Sequence, residues 1–115
     1  MTSYSPAPEL SVKELKKQLD AGKPPVILDV REDHEVKIAA LPKTAATTHI
    51  PLGQLPTRMA ELEAYRGREI VVYCRSGGRS AMAAQMLIQQ GHKAKNLTGG
   101  VLAWAREIDP KMQQY

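Results

Sequence analysis

Residues 69–91 read "EIVVYCRSGGRSAMAAQMLIQQG", an apolar run followed by a polar loop and a second apolar segment. The run "EIVVY" is continuous rather than alternating, which predicts a strand covered on both faces, as in a parallel sheet. The segment "SAMAAQMLIQQG" predicts a helix that ends at Gly91, with a core-facing stripe of Ala81, Ala84, Leu87 and Ile88. A strand, a loop and a helix in this order form the repeating unit of an α/β domain.

The flanking sequence repeats this alternation. Ser11 and Glu14 have the spacing of a helix capping box. Further helices are predicted in "EDHEVKIAAL" (32–41), "LPTRMAELEAY" (55–65) and "VLAWAREI" (101–108), and further strands in "PPVILDV" (24–30), "TTHIPL" (47–52) and "KAKNL" (93–97). We therefore predict a single α/β domain with a parallel sheet over residues 8–115, preceded by an N-terminal loop or edge segment over residues 1–7.

Composition limits the function classes. The 115 residues carry a formal charge of +4 with scattered basic residues, and one Trp, four Tyr and no Phe offer little for stacking bases, so we expect no nucleic acid partner. Because no apolar stretch approaches about 20 residues, no membrane span is expected, and the cytoplasm is the expected compartment. A single cysteine excludes an internal disulfide, and the three histidines lack metal-ligand spacing, so no metal or cofactor is predicted.

Cys74, the only cysteine, stands where the strand ends and the glycine loop begins. Ligands of open α/β sheets bind at this edge, next to the start of the following helix. Gly77 and Gly78 allow backbone conformations that turn successive amides toward one point, and Arg75 and Arg79 add positive charge. We therefore expect a thiolate at neutral pH. A lone cysteine is more often an inert core residue, but the six residues after this one carry no apolar side chain.

A thiolate beneath a ring of amides can attack an anionic substrate and hold the transferred group covalently. Both sulfane sulfur transfer and phosphoryl transfer meet that description. The phosphate-binding P-loop pattern is absent, since Arg79 stands where that motif has lysine.

Four motifs, "LDVRE" (28–32), "IVVYC" (70–74), "CRSGGRSA" (74–81) and "NLTGGVLAW" (96–104), together resemble the rhodanese, or thiosulfate sulfurtransferase, homology domain. Their order and spacing match from about Pro8 onward. Within that family, the chain closely resembles the rhodanese domain fused behind adenylyltransferases that activate ubiquitin-like sulfur carriers. The resemblance implies a rhodanese-like domain with a mostly parallel five-stranded sheet and helices on both faces.

The resemblance also implies a persulfide mechanism. Cys74 would be the catalytic residue, and the substrate-binding residues would be Arg75, Ser76, Gly77, Gly78, Arg79 and Ser80. The sulfur donor would be thiosulfate or a protein persulfide, and the acceptor cyanide, a thiol or a sulfur-carrier protein. Four residues separate Cys74 from Arg79, as in the sulfurtransferase form, whereas the phosphatase relatives carry one more. A non-catalytic binding or sensing module is the main alternative, and a phosphatase or arsenate reductase-like enzyme is the weaker one.

Asp29 and Arg31 are charged residues at the end of a predicted buried strand. We interpret them as structural, with the carboxylate pairing to an arginine or to backbone amides around the cysteine. The segment "LPKTAATTHIPL" (41–52) lacks the glycine turn usual in the family, so the conformation of that turn is not predicted. His49 has no partner in the sequence pattern and is left out of the site.

Overall fold

The computed structural model describes residues 6–115, so most of the predicted N-terminal segment, residues 1–5, lies outside it. The assignment of residues 1–7 to a separate segment stays a prediction. Of its two described residues, Ala7 is buried against the core. Within residues 6–115, none of the helices is long and apolar enough to cross a membrane. The same part of the chain holds no group of three acidic, histidine or cysteine side chains placed to bind a metal ion.

Five parallel strands form one sheet in the order β1-β5-β4-β2-β3. The strands are β1 (Glu9–Leu10), β2 (Val26–Asp29), β3 (Thr47–His49), β4 (Glu69–Tyr73) and β5 (Lys93–Leu97). The helices are α1 (Val12–Asp20), α2 (Asp33–Ile38), α3 (Leu55–Arg58), α4 (Gly78–Gln89) and α5 (Gly100–Glu107). The predicted α/β class and parallel sheet are confirmed.

Side chains of the central strands alternate between two hydrophobic clusters, one on each face of the sheet. Ile70 and Val72 of β4 pack with Leu87 of α4, whereas Val71 of the same strand packs on the other face with Trp104 of α5. This explains the continuous apolar runs, because every position of such a strand is buried on one face or the other. Trp104 is a buried packing residue of α5.

The predicted capping box of α1 is confirmed. The Ser11 hydroxyl accepts a hydrogen bond from the Glu14 amide at 3.1 Å, and the Glu14 carboxylate accepts one from the Ser11 amide at 3.3 Å. Each bond satisfies an amide that the first helical turn leaves without a partner.

The segment 55–65 differs from the predicted helix. Only Leu55–Arg58 is α-helical, and Met59–Tyr65 continues as a 3-10 helix. Of the apolar residues that recur at helical spacing in this segment, Leu55 and Leu62 are buried but Ala60 is exposed. A short helix is stabilised mainly by the packing of its apolar face. Because the apolar face of this segment is narrow, packing does not hold the whole segment in α-helical geometry.

The predicted core stripe of α4 is wrong at two positions. Ile88 is 40% exposed and Ala81 is only half-buried. The buried face instead consists of Ser80, Ala83, Ala84 and Leu87. This spacing of i, i+3, i+4 and i+7 is the regular helical one, and the sequence pattern missed it because its first member is polar.

The turn before β3, which lacks the glycine, is held by threonine. The Thr47 hydroxyl accepts a hydrogen bond from the Thr44 amide at 2.7 Å, and the Thr44 hydroxyl accepts one from the Ala46 amide at 3.2 Å. Side-chain oxygens that bond to nearby amides close a turn without requiring a left-handed residue.

Candidate active site

Cys74 lies directly after β4, at the carboxyl edge of the sheet, and the loop that follows leads into α4. The neighbouring strand β2 ends at the same edge, since Asp29 pairs in register with Tyr73. Cys74 is 1% exposed and its side chain borders the hydrophobic cluster beneath α4. The sequence predicted both this position and a ring of amides, whereas a dry, inert cysteine was the alternative.

Three hydrogen-bond donors converge on the sulfur. The amide nitrogens of Gly77 and Ser80 lie 3.1 and 3.4 Å from Cys74 Sγ, and the Ser80 hydroxyl oxygen lies 3.3 Å from it. Gly77 has a φ of 115°, a conformation that L side chains rarely adopt, and this turn directs its amide inward. Gly78 does not have a positive φ and is the first residue of α4. The sulfur is therefore buried yet surrounded by donors on one side.

Burial raises the pKa of the Cys74 thiol, but hydrogen bonds from the Ser80 hydroxyl and from the amides of Ser80, Gly77 and Ser76 lower it. The hydrogen bonds prevail, so the pKa lies below its usual value. This agrees in direction with the thiolate expected from the sequence.

The Ser80 hydroxyl has a single hydrogen, for which Cys74 Sγ at 3.3 Å and Asn96 Oδ1 of β5 both compete as acceptors. Asn96 Oδ1 lies 2.6 Å from Ser80 Oγ, and Asn96 Nδ2 donates to Glu9 Oε2 at 3.0 Å and to the Gly77 carbonyl at 3.2 Å. Both residues are buried. Because the two amide hydrogens of Asn96 are engaged elsewhere, its oxygen must face Ser80. Strand β5 thus anchors both the serine and the Gly77 peptide next to the sulfur.

The outer side of the loop is held by the first turn of α5. The amide of Val101 donates to the Cys74 carbonyl at 3.0 Å, and that of Leu102 donates to the Arg75 carbonyl at 3.1 Å. Gly100 lies so close that a Cβ there would fall 2.5 Å from both carbonyl oxygens. With the carbonyls bonded outward to the helix, the loop amides are free to face the sulfur.

The two loop arginines are bonded to other groups. Arg79 donates to both carboxylate oxygens of Glu35, at 2.6 and 2.8 Å. Arg75 donates to the backbone carbonyl of Tyr115, and its guanidinium lies 5.3 Å from the centre of the Tyr115 ring. Neither arginine is among the largest causes of the lowered pKa of Cys74. The amides and the serine hydroxyl therefore account for the shift.

A family model described as the rhodanese-like domain matches residues 11–107. The chain belongs to the rhodanese-like domain family. Among curated proteins, it is 38% identical over 103 residues to "Putative sulfurtransferase YtwF" of Bacillus subtilis, covering 90% of this chain and 95% of that protein. A maize adenylyltransferase and sulfurtransferase, MOCS3-1, is 37% identical over 112 residues, covering 92% of this chain but only 23% of its own. A rhodanese-like domain protein from Staphylococcus aureus superimposes with a TM-score of 0.77 at 28% identity, covering 94% of this chain and 98% of its own.

In this rhodanese-like domain, Asp29 and Arg31 form a buried pair behind the site. Arg31 donates to both oxygens of Asp29, at 2.9 and 2.8 Å, and Asp29 also accepts from the Arg31 amide at 2.9 Å. The guanidinium lies 5.1 Å from the centre of the Tyr73 ring. His49 contacts the Arg31 carbonyl through Nε2 at 2.6 Å. These contacts support the structural interpretation, since Asp29 and Arg31 satisfy each other.

Sequence reasoning missed Glu35, Asn96 and Tyr115, which bond to residues of the cysteine loop. Glu35 lies 39 positions before Cys74 and Tyr115 lies 41 after it, so no local spacing connects them to the loop. For Asn96 there was a signal: a polar residue inside a predicted strand must find buried partners.

A groove of about 630 Å³ lies on another part of the rhodanese-like domain. It is bordered by Glu69 and Lys93, at the amino ends of β4 and β5. Cys74 follows the opposite end of β4, about one strand length away. The groove therefore takes no part in the chemistry of the cysteine.

Ser80→Ala is expected to raise the pKa of the Cys74 thiol, because the substitution removes one of the three donors to the sulfur. Only the thiolate reacts with iodoacetamide, so the pH at which alkylation reaches half its maximal rate should move upward. Ser76→Ala is the matched control, since Ser76 is exposed and lowers the pKa through its backbone amide, which alanine retains. An unchanged midpoint in Ser80→Ala would show that the hydroxyl serves Asn96 alone.

Proposed function

We propose that this rhodanese-like domain transfers sulfane sulfur through a persulfide on Cys74. The observation that carries the proposal is the convergence of the Gly77 amide, the Ser80 amide and the Ser80 hydroxyl on one buried sulfur. Donors placed in this way stabilise a thiolate before the reaction and the negative charge of a persulfide after it. The sulfurtransferase names of its relatives support the same reaction class.

In the first half-reaction, the Cys74 thiolate attacks the sulfane sulfur of the donor. With thiosulfate, a new S–S bond forms, the bond between sulfane sulfur and the sulfonate group breaks, and sulfite leaves with the bonding electron pair. The product is a Cys74 persulfide anion. The residues that we propose for binding the donor and the persulfide are those of the loop, namely Arg75, Ser76, Gly77, Gly78, Arg79 and Ser80.

In the second half-reaction, a nucleophilic acceptor attacks the outer sulfur and Cys74 leaves as a thiolate. The sequence contains no second cysteine, so no thiol of this chain can resolve the persulfide. The acceptor is therefore external, either cyanide, a small thiol or a sulfur-carrier protein. The similarity to "Putative sulfur carrier protein YrkF" of Bacillus subtilis, 39% identical over 106 residues, supports a carrier protein as acceptor. A protein persulfide is an alternative donor to thiosulfate. We place this reaction in the cytoplasm and propose no cofactor.

The test is the intact mass of the protein after incubation with thiosulfate. We expect the addition of one sulfur atom, which cyanide then removes with the formation of thiocyanate. Hydrolysis of an aryl phosphate without any sulfur adduct would instead support phosphoryl transfer. If neither thiosulfate nor a protein persulfide loads sulfur onto Cys74 and no phosphate is released, the domain is a binding or sensing module.

A further inference from the structure

The charge of Arg79, next to the reactive sulfur, is already neutralised inside the protein. Its guanidinium forms a bidentate ion pair with the Glu35 carboxylate, with N–O distances of 2.6 and 2.8 Å. Arg79 adjoins Ser80, whose amide contacts Cys74 Sγ, and attraction to Cys74 contributes to the raised pKa of Arg79. The arginine therefore belongs to the loop that surrounds the sulfur.

Glu35 is an anchored partner rather than a mobile surface carboxylate. Its side chain is 8% exposed, against 37% for Arg79. Oε1 also accepts from the Glu32 amide at 3.1 Å, and Oε2 accepts from the Tyr115 hydroxyl at 2.9 Å. The hydrogen bonds from Arg79, together with those from the Glu32 amide and the Tyr115 hydroxyl, lower the pKa of Glu35 to about 2 despite the opposing effect of burial. The carboxylate therefore stays ionised throughout the pH range of an activity assay.

The remaining cations near the loop do not replace Arg79. Arg75 donates a hydrogen bond to the backbone carbonyl of Tyr115, and its guanidinium lies 5.3 Å from the centre of the Tyr115 ring. Arg31 is fully buried and paired with Asp29. Of these two, Arg31 is paired with a carboxylate, whereas Arg75 donates to a carbonyl and keeps the same charge whether or not Glu35 is present.

We propose that Glu35 is a specificity-determining residue that sets how strongly the site discriminates among sulfur donors by their charge. The inference rests on the proposed function and concerns the donor of the first half-reaction. A dianion gains most from a free guanidinium and must compete with the fixed carboxylate for it. A monoanion gains less from the same guanidinium, so the Glu35–Arg79 pair disfavours it less.

The experiment compares two donors that react by the same chemistry but differ in charge, thiosulfate and an aryl thiosulfonate. Both transfer sulfane sulfur to the Cys74 thiolate, the first releasing sulfite as a dianion and the second releasing a sulfinate monoanion. Glu35→Gln removes the negative charge while keeping a side chain of the same shape. We expect kcat/KM for thiosulfate to rise about tenfold, mainly through a lower KM, and that for the thiosulfonate to rise about threefold or less.

The ratio of the two kcat/KM values is the measured quantity, because a partly unfolded variant loses active sites for both donors equally. Asp33→Asn is the matched control: it removes one negative charge from the same helix at an exposed position that does not contact Arg79. Glu35→Asp should leave the ratio near that of the unsubstituted protein, because the charge is retained.

An unchanged ratio in Glu35→Gln, or an equal change in Asp33→Asn, would overturn the inference and leave the proposed function standing. Absence of a Cys74 persulfide with either donor in the unsubstituted protein would instead refute the proposed function. A ratio that rises only in Glu35→Gln supports both.

Discussion

Cys74→Ser is expected to lower thiocyanate formation from thiosulfate and cyanide by about a thousandfold or more. A serine hydroxyl is not ionised at neutral pH and cannot hold sulfane sulfur as a persulfide. The same three donors that stabilise a thiolate would then surround a neutral oxygen, which has no charge for them to stabilise. The measurement is the colorimetric rate of thiocyanate release, together with the intact mass after incubation with thiosulfate.

The variant should remain folded, because oxygen for sulfur is a small change in volume and the hydroxyl can bond to the same donors. The thermal midpoint checks this point. Thr57→Ala serves as an activity control, since that exposed side chain bonds to the Gln54 carbonyl and does not belong to the cysteine loop. Turnover that persists in a folded Cys74→Ser protein would remove Cys74 from the mechanism.

Gly100→Ala is expected to lower the free energy of unfolding by about 3 kcal/mol and to disrupt the cysteine loop. Gly100 has a φ of 58°, and an added Cβ would lie 2.5 Å from the carbonyl oxygens of Cys74 and Arg75. These atoms are backbone and cannot rotate away. Relief of the clash requires α5 to retreat, which breaks the hydrogen bonds from Val101 and Leu102 to the loop.

Urea denaturation measures the loss, and the pH dependence of Cys74 alkylation reports on the loop. Gly53→Ala is the matched control, because Gly53 has no positive φ and nothing within 4 Å of an added Cβ. Its free energy of unfolding should change by less than about 1 kcal/mol. Equal urea midpoints for the two variants would contradict the role assigned to Gly100.

The architecture was predictable because its signals are local. The apolar run before Cys74 is buried on both faces, and the capping box at Ser11 begins a helix where the sequence predicts one. The conformation of the segment 55–65 was less predictable. Its apolar residues recur at helical spacing, but that spacing does not indicate how many of them are buried in the core.

Only the part of the site that is formed by residues adjacent in sequence was predictable. The sequence placed Cys74 beside the glycine turn and the start of α4, which the structure brings together. From the sequence we expected Arg75 and Arg79 to add positive charge around the cysteine. In the structure, both side chains are bonded to residues far away in sequence. The partner of a surface arginine depends on the packing of separate elements, which periodicity and composition do not encode.

The contacts of α5 with the cysteine loop also bear on synthesis. A ribosome produces Cys74 well before Val101 and Leu102, whose amides hold the carbonyls of Cys74 and Arg75. Until those residues have left the exit tunnel, the thiol lacks the geometry that favours its ionisation. A nascent chain therefore carries an ordinary cysteine until α5 has been synthesised and has packed against the loop.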